Sequence, residues 1–380
     1  MAAVIFYMHL NFDTDAFLGM FWQKKPKLIR KAISNFEDPI EADELAGLAM
    51  EDEVASRIIE TLSDGWKAHS GPFNDYHKFG SDNWQLLVQA VNHWYPPTLP
   101  LVEAFRFIPE WRFDDLMVSF STPGGGVGPH IDQYDVFIIQ GSGKRRWQVG
   151  PNTHTTCRND NTMSLVTDFE AIIDAELNPG DILYIPAGYP HQGQTIEPSM
   201  SYSMGFRAPS QKEFISNWAD VLEDKSLGEK RLITSEETSA AGILASTTMD
   251  DIKALIKESL DSDDFNTITG CLLSKNRFEL APYQPDQDLS IEQCLALFAK
   301  ETLYRLPGVK VLSLEQDKHS RVFVNGEEYR FGDASIEHCY MLANLTAYPP
   351  AALEELCESK DILNALVEMV NQGLMVFDDE

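Results

Sequence analysis

The sequence predicts an α+β protein in three parts, and three observations carry that prediction. Between residues 115 and 207, short apolar runs alternate with Gly and Pro: "DLMVSFS", "DVFIIQ", "RRWQVG", "DILYIP" and "MSYSMGF". Many short strands divided by turn signals predict a β-sandwich or barrel. Past Pro209 the texture changes to acidic amphipathic helix in "SQKEFISNWADVLEDKSL" and "TMDDIKALIKESL". From the Pro-rich "LAPYQPDQDLS" onward the order is helix, strand, hairpin and helix, with Asn325-Gly326 as the hairpin turn. The expected parts are therefore 1–208, 209–280 and 281–380, the last a winged-helix-like module. A chain of 380 residues suits two or three domains at roughly 100–200 residues each.

Taken in order, residues 1–110 mix helical and strand patterns. "DPIEADELAGLAMEDEVASRII" (38–59) repeats apolar residues at three to four, which predicts a helix. "NWQLLVQAVNHWY" (83–95) reads the same way, with Asn83 as its N-cap. "GSG" at 141–143, between two strand runs, predicts a hairpin loop. Ser210 and Thr248 are the expected N-caps of the two acidic helices, and "GEKRLITSEETSAAG" is the loop between them. The last part is expected to run helix ("SIEQCLALFAKETL"), strand ("VKVLSLE"), hairpin ("RVFVNGEEYRF") and further helix.

Charge narrows the partners. With 59 acidic against 30 basic residues the net charge is −29. Such a field repels nucleic acid and anionic membrane and attracts basic proteins. The five cysteines (Cys157, Cys271, Cys294, Cys339, Cys357) form no CxxC pair and no disulfide framework, which fits a reducing compartment. The N-terminal stretch has no basic segment or cleavage-site pattern. No run of 18 apolar residues occurs, so no membrane span is expected. The expected location is the cytoplasm.

The chemistry concentrates at "GPHIDQYDVF". His130 and Asp132 stand two apart, and side chains so spaced on a strand share a face. His191, in "GDILYIPAGYPHQG", follows a strand and a Pro/Gly turn and is the best third ligand. Two imidazoles and one carboxylate form the facial triad of non-heme Fe(II) oxygenases, which leaves positions open for cosubstrate and dioxygen. His9, His69, His77, His93, His154, His319 and His338 lack a second ligand at strand spacing and read as ordinary histidines.

An iron that activates dioxygen needs an electron source. If that source is 2-oxoglutarate, its far carboxylate needs a cation. In "KRRWQV", Arg145, Trp147 and Val149 share one face, and the Trp/Val face should be buried. Arg145 is thus the inward cation, and its planar fork suits a carboxylate. The plainer alternative is that Arg145 pairs with an acid of the core. In "DDLMVSFS", Asp115, Met117, Ser119 and Ser121 share a face. Ser119 would add a hydroxyl to the cosubstrate carboxylate. An inward Asp115 needs a cation, either Arg145, another arginine of the protein or the substrate. "PGGGVGP" (123–129) lacks the Lys-Ser/Thr of a phosphate loop and leads into a strand; it reads as a loop that lets backbone approach the site.

On these residues the chain resembles the JmjC-domain ribosomal oxygenases of bacteria, arginine 3-hydroxylases among them. The resemblance covers "FWQKKP", "PIEADELAGLAME", "NWQLLVQAVNHW", "WRFDDLMVSFSTPGGGVGPHIDQYDVFIIQGSGKRRW", "AIIDAELNPGDILYIPAGYPHQG" and "SMGFRAP", and weakens after about residue 210. It implies a double-stranded β-helix of the cupin/JmjC type, a helical dimerisation region, a C-terminal winged helix and a homodimer. It places the metal ligands and catalytic centre on His130, Asp132 and His191, the 2-oxoglutarate arginine on Arg145 and the pocket serine on Ser119. Lys144 stands where the family leads one to expect arginine, on the outward face.

The implied activity is Fe(II)- and 2-oxoglutarate-dependent hydroxylation of the β-carbon of an arginine in large-subunit ribosomal protein L-sixteen. Tyr134 and Asp115 would hold the guanidinium by stacking and ion pairing. The rival readings are a histidyl hydroxylase, an N-methyl demethylase acting on another basic protein, and a non-catalytic binding scaffold.

Overall fold

The computed structural model describes residues 8–152, 166, 169–224, 226–235 and 242–377. His154 and Cys157 lie outside them. Twelve antiparallel strands form two facing sheets. They are β1 (Lys27–Ile29), β2 (Ser56–Leu62), β3 (Gly65–Ser70), β4 (Trp84–Val88), β5 (Phe113–Ser121), β6 (His130–Ile131), β7 (Asp135–Gln140), β8 (Lys144–Val149), β9 (Ile173–Leu177), β10 (Ile182–Ile185), β11 (Pro190–Glu197) and β12 (Ser199–Phe206). The larger sheet runs β1-β10-β7-β12-β5-β4-β2-β3 and the smaller β6-β11-β8-β9. This is the predicted double-stranded β-helix.

Alternation along the strands sorts residues between two cores. In β7, Phe137 and Ile139 pack outward with Phe17, Phe105 and Leu116 against the N-terminal helices. Val136 and Ile138 turn inward to meet Trp147, Val149 and Leu183. β10 repeats the pattern: Ile182 and Tyr184 face out, Leu183 and Ile185 face in. On β5, Leu116 and Val118 join the outer core. That leaves Asp115, Met117 and Ser119 to line the interior, as alternation predicts.

Several local expectations are corrected. Residues 38–59 hold a helix only over Ala42–Leu48, with Glu41 and Glu44 as a capping box. The remainder turns into β2, where Ile58 and Ile59 are both buried in a central strand. Residues 83–95 begin as a strand: β4 lies between β2 and β5 with all five residues buried. A strand covered on both faces reads as continuous apolar sequence, which helical spacing also fits. Asn83 takes a left-handed φ of 64° before that strand instead of capping a helix. "GSG" does not close a hairpin, because β7 and β8 belong to different sheets. It is a corner, and Gly143 at φ 72° passes so close to the Pro198 carbonyl that no side chain fits.

The acidic helices form at Gln211–Asp224 and Ser246–Leu260. Ser210 caps the first, its Oγ accepting from Glu213 N at 3.1 Å. Thr248 lies inside the second, whose N-cap is Ala245. A further helix, Asp263–Ser274, packs on the C-terminal hairpin, where the Gly270 backbone meets the Phe323 ring and Ser274 Oγ accepts from Gly326 N at 3.0 Å. The hairpin pairs Arg321–Val324 with Glu327–Arg330 through Asn325-Gly326, both at positive φ. Ser290 caps the helix Ile291–Phe298. The expected strand over 309–315 shrinks to Val311–Leu312, paired to the hairpin. Two ion pairs tie this C-terminal part to the barrel, Arg305–Glu110 at 3.1 Å and Arg277–Asp114 at 2.6 Å.

Candidate metal and cosubstrate site

The strand register delivers the triad. His191 on β11 pairs directly with His130 on β6, and Asp132 follows β6 immediately. The two imidazole centroids are 4.2 Å apart. Asp132 Oδ2 lies 3.8 Å from His130 Nε2 and 3.5 Å from His191 Nε2. All three donor atoms fall within 4.8 Å of one another, close enough to hold one ion.

The backbone fixes each ring. His130 Nδ1 donates to Gly128 O at 2.9 Å and His191 Nδ1 to Tyr189 O at 3.0 Å. A carbonyl only accepts, so each Nδ1 carries the proton and each Nε2 lone pair faces Asp132. Burial, then the neighbouring His191, pulls His130 down to about 4. It is neutral at pH 7, the form that ligates. Burial opposes ionisation of Asp132, but its side-chain contact with His191 and the nearby His130 outweigh it and hold the carboxyl at about 2. The donor set is one carboxylate and two imidazoles held by the backbone through Nδ1, which suits Fe(II).

Glycine lets the "PGGGVGP" loop close over this centre, as its composition suggests. Gly124 N donates to Thr195 O at 2.9 Å and Thr195 N to Gly125 O at 3.0 Å. A side chain on Gly126 would collide with the Gly193 carbonyl, and one on Gly193 would come within 2.8 Å of the Trp147 indole.

Behind the triad, Arg145 is 2% exposed. Its Nη2 donates to Gln85 Oε1 at 3.0 Å, its guanidinium lies 4.9 Å from the Trp147 ring, and its Nε is unpartnered. Among the described residues no carboxylate pairs with it, as the plainer alternative of a core acid would require. Burial drags it down to about 10. Ser119, also buried, shares the cleft. Ser121, Gln140, Thr195, Ser199 and Ser201 each leave a buried side-chain oxygen without a partner. Buried polar groups in folded proteins are normally satisfied. An uncompensated buried cation that shares the cleft with Ser119 fits the far carboxylate of 2-oxoglutarate.

At the other side of the cleft stand Asp115 and Tyr134. Asp115 is 5% exposed, and its Oδ2 accepts from Ala90 N at 3.0 Å. Burial pushes its carboxyl up to about 6. It pairs with neither Arg145 nor any other cation of the described residues. Tyr134 is pushed above its usual value by burial and by Asp132 and Asp115. The cleft that joins Asp115, Tyr134, the triad and Arg145 encloses about 670 Å³ of space open to solvent.

Sequence reading missed Gln85 and Arg277, both of which line the cleft. Gln85 was hidden by the helical reading of 83–95; alternation along a strand would have put Gln85, Leu87 and Gln89 on one face. Nothing local marks Arg277, which reaches the cleft from far along the chain.

A double-stranded β-helix with a His-Asp-His centre defines the class of protein, a JmjC-type oxygenase. The JmjC domain family matches residues 100–214, and the ROXA-like winged helix family matches 249–375. The chain is 42% identical to the ribosomal protein uL16 3-hydroxylase of Escherichia coli K12, over 97% of this chain and 99% of that one. It is similar to the crystal structure of E. coli YcfD, with a TM-score of 0.92, 40% identity and 98% and 100% of the two chains covered. It is similar also to YcfD, described as a ribosomal oxygenase, in complex with cobalt and 2-oxoglutarate (TM-score 0.88, 39% identity, 98% and 100% covered). This chain belongs to the ribosomal oxygenase family.

Proposed function

We propose that this protein is an Fe(II)- and 2-oxoglutarate-dependent hydroxylase that hydroxylates the β-carbon of an arginine in large-subunit ribosomal protein uL16 (L-sixteen). One observation carries the reading. A two-histidine, one-carboxylate cluster shares a cleft with a buried arginine that no carboxylate of the described residues answers. Bound Fe(II) supplies the redox chemistry: one oxygen atom of dioxygen goes to succinate as 2-oxoglutarate loses CO2, the other to the arginine.

The chain's own residues do the positioning. His130, Asp132 and His191 hold the metal on one face. Arg145, braced by Gln85, takes the far carboxylate of the cosubstrate with Ser119 beside it. Asp115 receives the substrate guanidinium and Tyr134 lies along it. A histidine side chain or an N-methyl group would give buried Asp115 a weaker partner than guanidinium does. A non-catalytic scaffold has no use for an uncompensated Arg145.

Exposed Ile215, Met249, Ile256 and Leu260 on the acidic helices support a homodimer formed through 209–280. No helix of the described residues is long and apolar enough to cross a membrane. With the net charge of −29 this supports a cytoplasmic enzyme for a basic protein, without direct nucleic-acid binding. Incubating a ribosomal protein fraction with enzyme, Fe(II), 2-oxoglutarate and dioxygen tests the activity by intact mass. A gain of one oxygen on uL16 is expected, and no gain on any protein would refute the reading.

A further inference from the structure

β5 bulges at its start. Leu116 pairs with Met204 and Phe113 with Phe206, so Asp114 and Asp115 together oppose the single residue Gly205. Such a bulge breaks the alternation of side chains and re-aims them. Both acids stand at Gly205: a Cβ built there would lie 3.5 Å from Asp115 Oδ1 and 3.8 Å from the Asp114 Cβ. Two adjacent carboxylates thus stand at Gly205: Asp115 lines the pocket, and Asp114 lies beside it behind Arg277, which does.

One of the two is already engaged. Arg277, just past the helix Asp263–Ser274, reaches over from the C-terminal half. Its Nε donates to Asp114 Oδ1 at 3.2 Å and its Nη2 to Asp114 Oδ2 at 2.6 Å. The Asp114 side chain is 10% exposed and that of Arg277 48%. Arg277 forms part of the cleft wall with Asp115 and Tyr134. Lys310, buried near both acids, makes no ion pair with either among the described residues, so it does not duplicate this contact.

We propose that Arg277 is a positioning residue: by occupying Asp114 it leaves Asp115 as the single carboxylate that receives the substrate guanidinium. The proposal rests on the reading that the cleft hydroxylates an arginine. A guanidinium fork grips either free carboxylate bidentately. Gripped by Asp115, it holds the side chain along Tyr134 toward the triad. Gripped by Asp114, the next residue along the strand, it displaces the β-carbon. A misplacement of about 1 Å costs on the order of 10²-fold in rate.

The test uses full-length protein and an arginine-bearing uL16 peptide. Peptide binding is measured by calorimetry, and hydroxylated peptide is counted per succinate formed. Arg277→Ala is expected to bind the peptide at least as tightly as wild type, since a cation is lost and an acid freed. Its hydroxylation per succinate is expected to fall by about tenfold. Adding Asp114→Asn removes the competing acid, and the double variant should recover its coupling. A mere strut between the two halves predicts no such recovery. Wild-type coupling in Arg277→Ala, weakened peptide binding, or a double variant no better than the single would each overturn the proposal. Wild type that puts no oxygen on the peptide would instead refute the arginine reading, and the proposal with it.

Discussion

Arg145 Nη2 donates to Gln85 Oε1 at 3.0 Å across the barrel, and no carboxylate of the described residues answers the charge. A buried charge without a partner destabilises the fold. Arg145→Met is therefore expected to raise the Tm of the protein without ligands. 2-Oxoglutarate should raise the Tm of wild type but not of this variant, because only a ligand that binds the native state stabilises it. Loss of a charge-assisted contact of about 1.5–3 kcal/mol predicts a KM for 2-oxoglutarate about 10- to 100-fold higher. Thermal shift with and without 2-oxoglutarate checks both parts.

The triad makes a separate prediction. His130→Ala removes a ligand whose ring is locked by the Gly128 carbonyl, and His191→Ala one locked by Tyr189. Each is expected to abolish stoichiometric iron binding, measured by calorimetry under anaerobic conditions, and to stop succinate formation. Retention of tight iron binding in His130→Ala would refute the ligand assignment.

Asp115 predicts a pH dependence. Burial first, with Asp114 adding to it, raises its carboxyl to about 6 in the free enzyme. A carboxylate attracts guanidinium only when ionised, so kcat/KM should fall as pH drops through about 6. The bound cation favours ionisation, so the corresponding limb in kcat should lie at lower pH. The same shift affects stability. The folded state binds the proton more tightly than the unfolded chain, so this group's contribution is favourable below the unfolded value and is lost as pH rises through about 6. Asp115→Asn should flatten the acid limb of kcat/KM while the KM for 2-oxoglutarate stays near wild type.

Charge sets the fourth prediction. At −29 the enzyme collects a basic protein by long-range attraction that salt screens. kcat/KM on free uL16 should fall with rising ionic strength, with little change in kcat. Ribosomal RNA repels the same surface, so free uL16 should turn over faster than intact large subunits in low salt. Faster turnover of intact subunits would contradict this.

Much of the site was legible because strands alternate. His130 and Asp132, then Asp115 with Ser119, then Arg145 with Trp147 could be assigned to the barrel interior from parity. β5, β7, β8, β10 and β12 lie where the apolar runs placed them, whereas no such run marked β6, β9 or β11, the strand that carries His191. Parity failed where both faces of a strand are covered, as at Trp84–Val88, and Gln85 was lost with it. It failed again at "GSG", since a corner between sheets and a hairpin loop use the same small residues. The bulge at Asp114–Asp115 depends on the register of β12, which no local pattern encodes. Arg277 acts across 163 residues of chain, beyond the reach of any motif.

The most direct test of the central claim is the balance between cosubstrate and product on purified uL16. Succinate is counted against oxygen gained, and fragment ions locate the oxygen. The expected result is one oxygen on the β-carbon of one arginine for each succinate formed, absent in His130→Ala. Succinate without protein oxidation, or oxygen on a histidine instead, would contradict it.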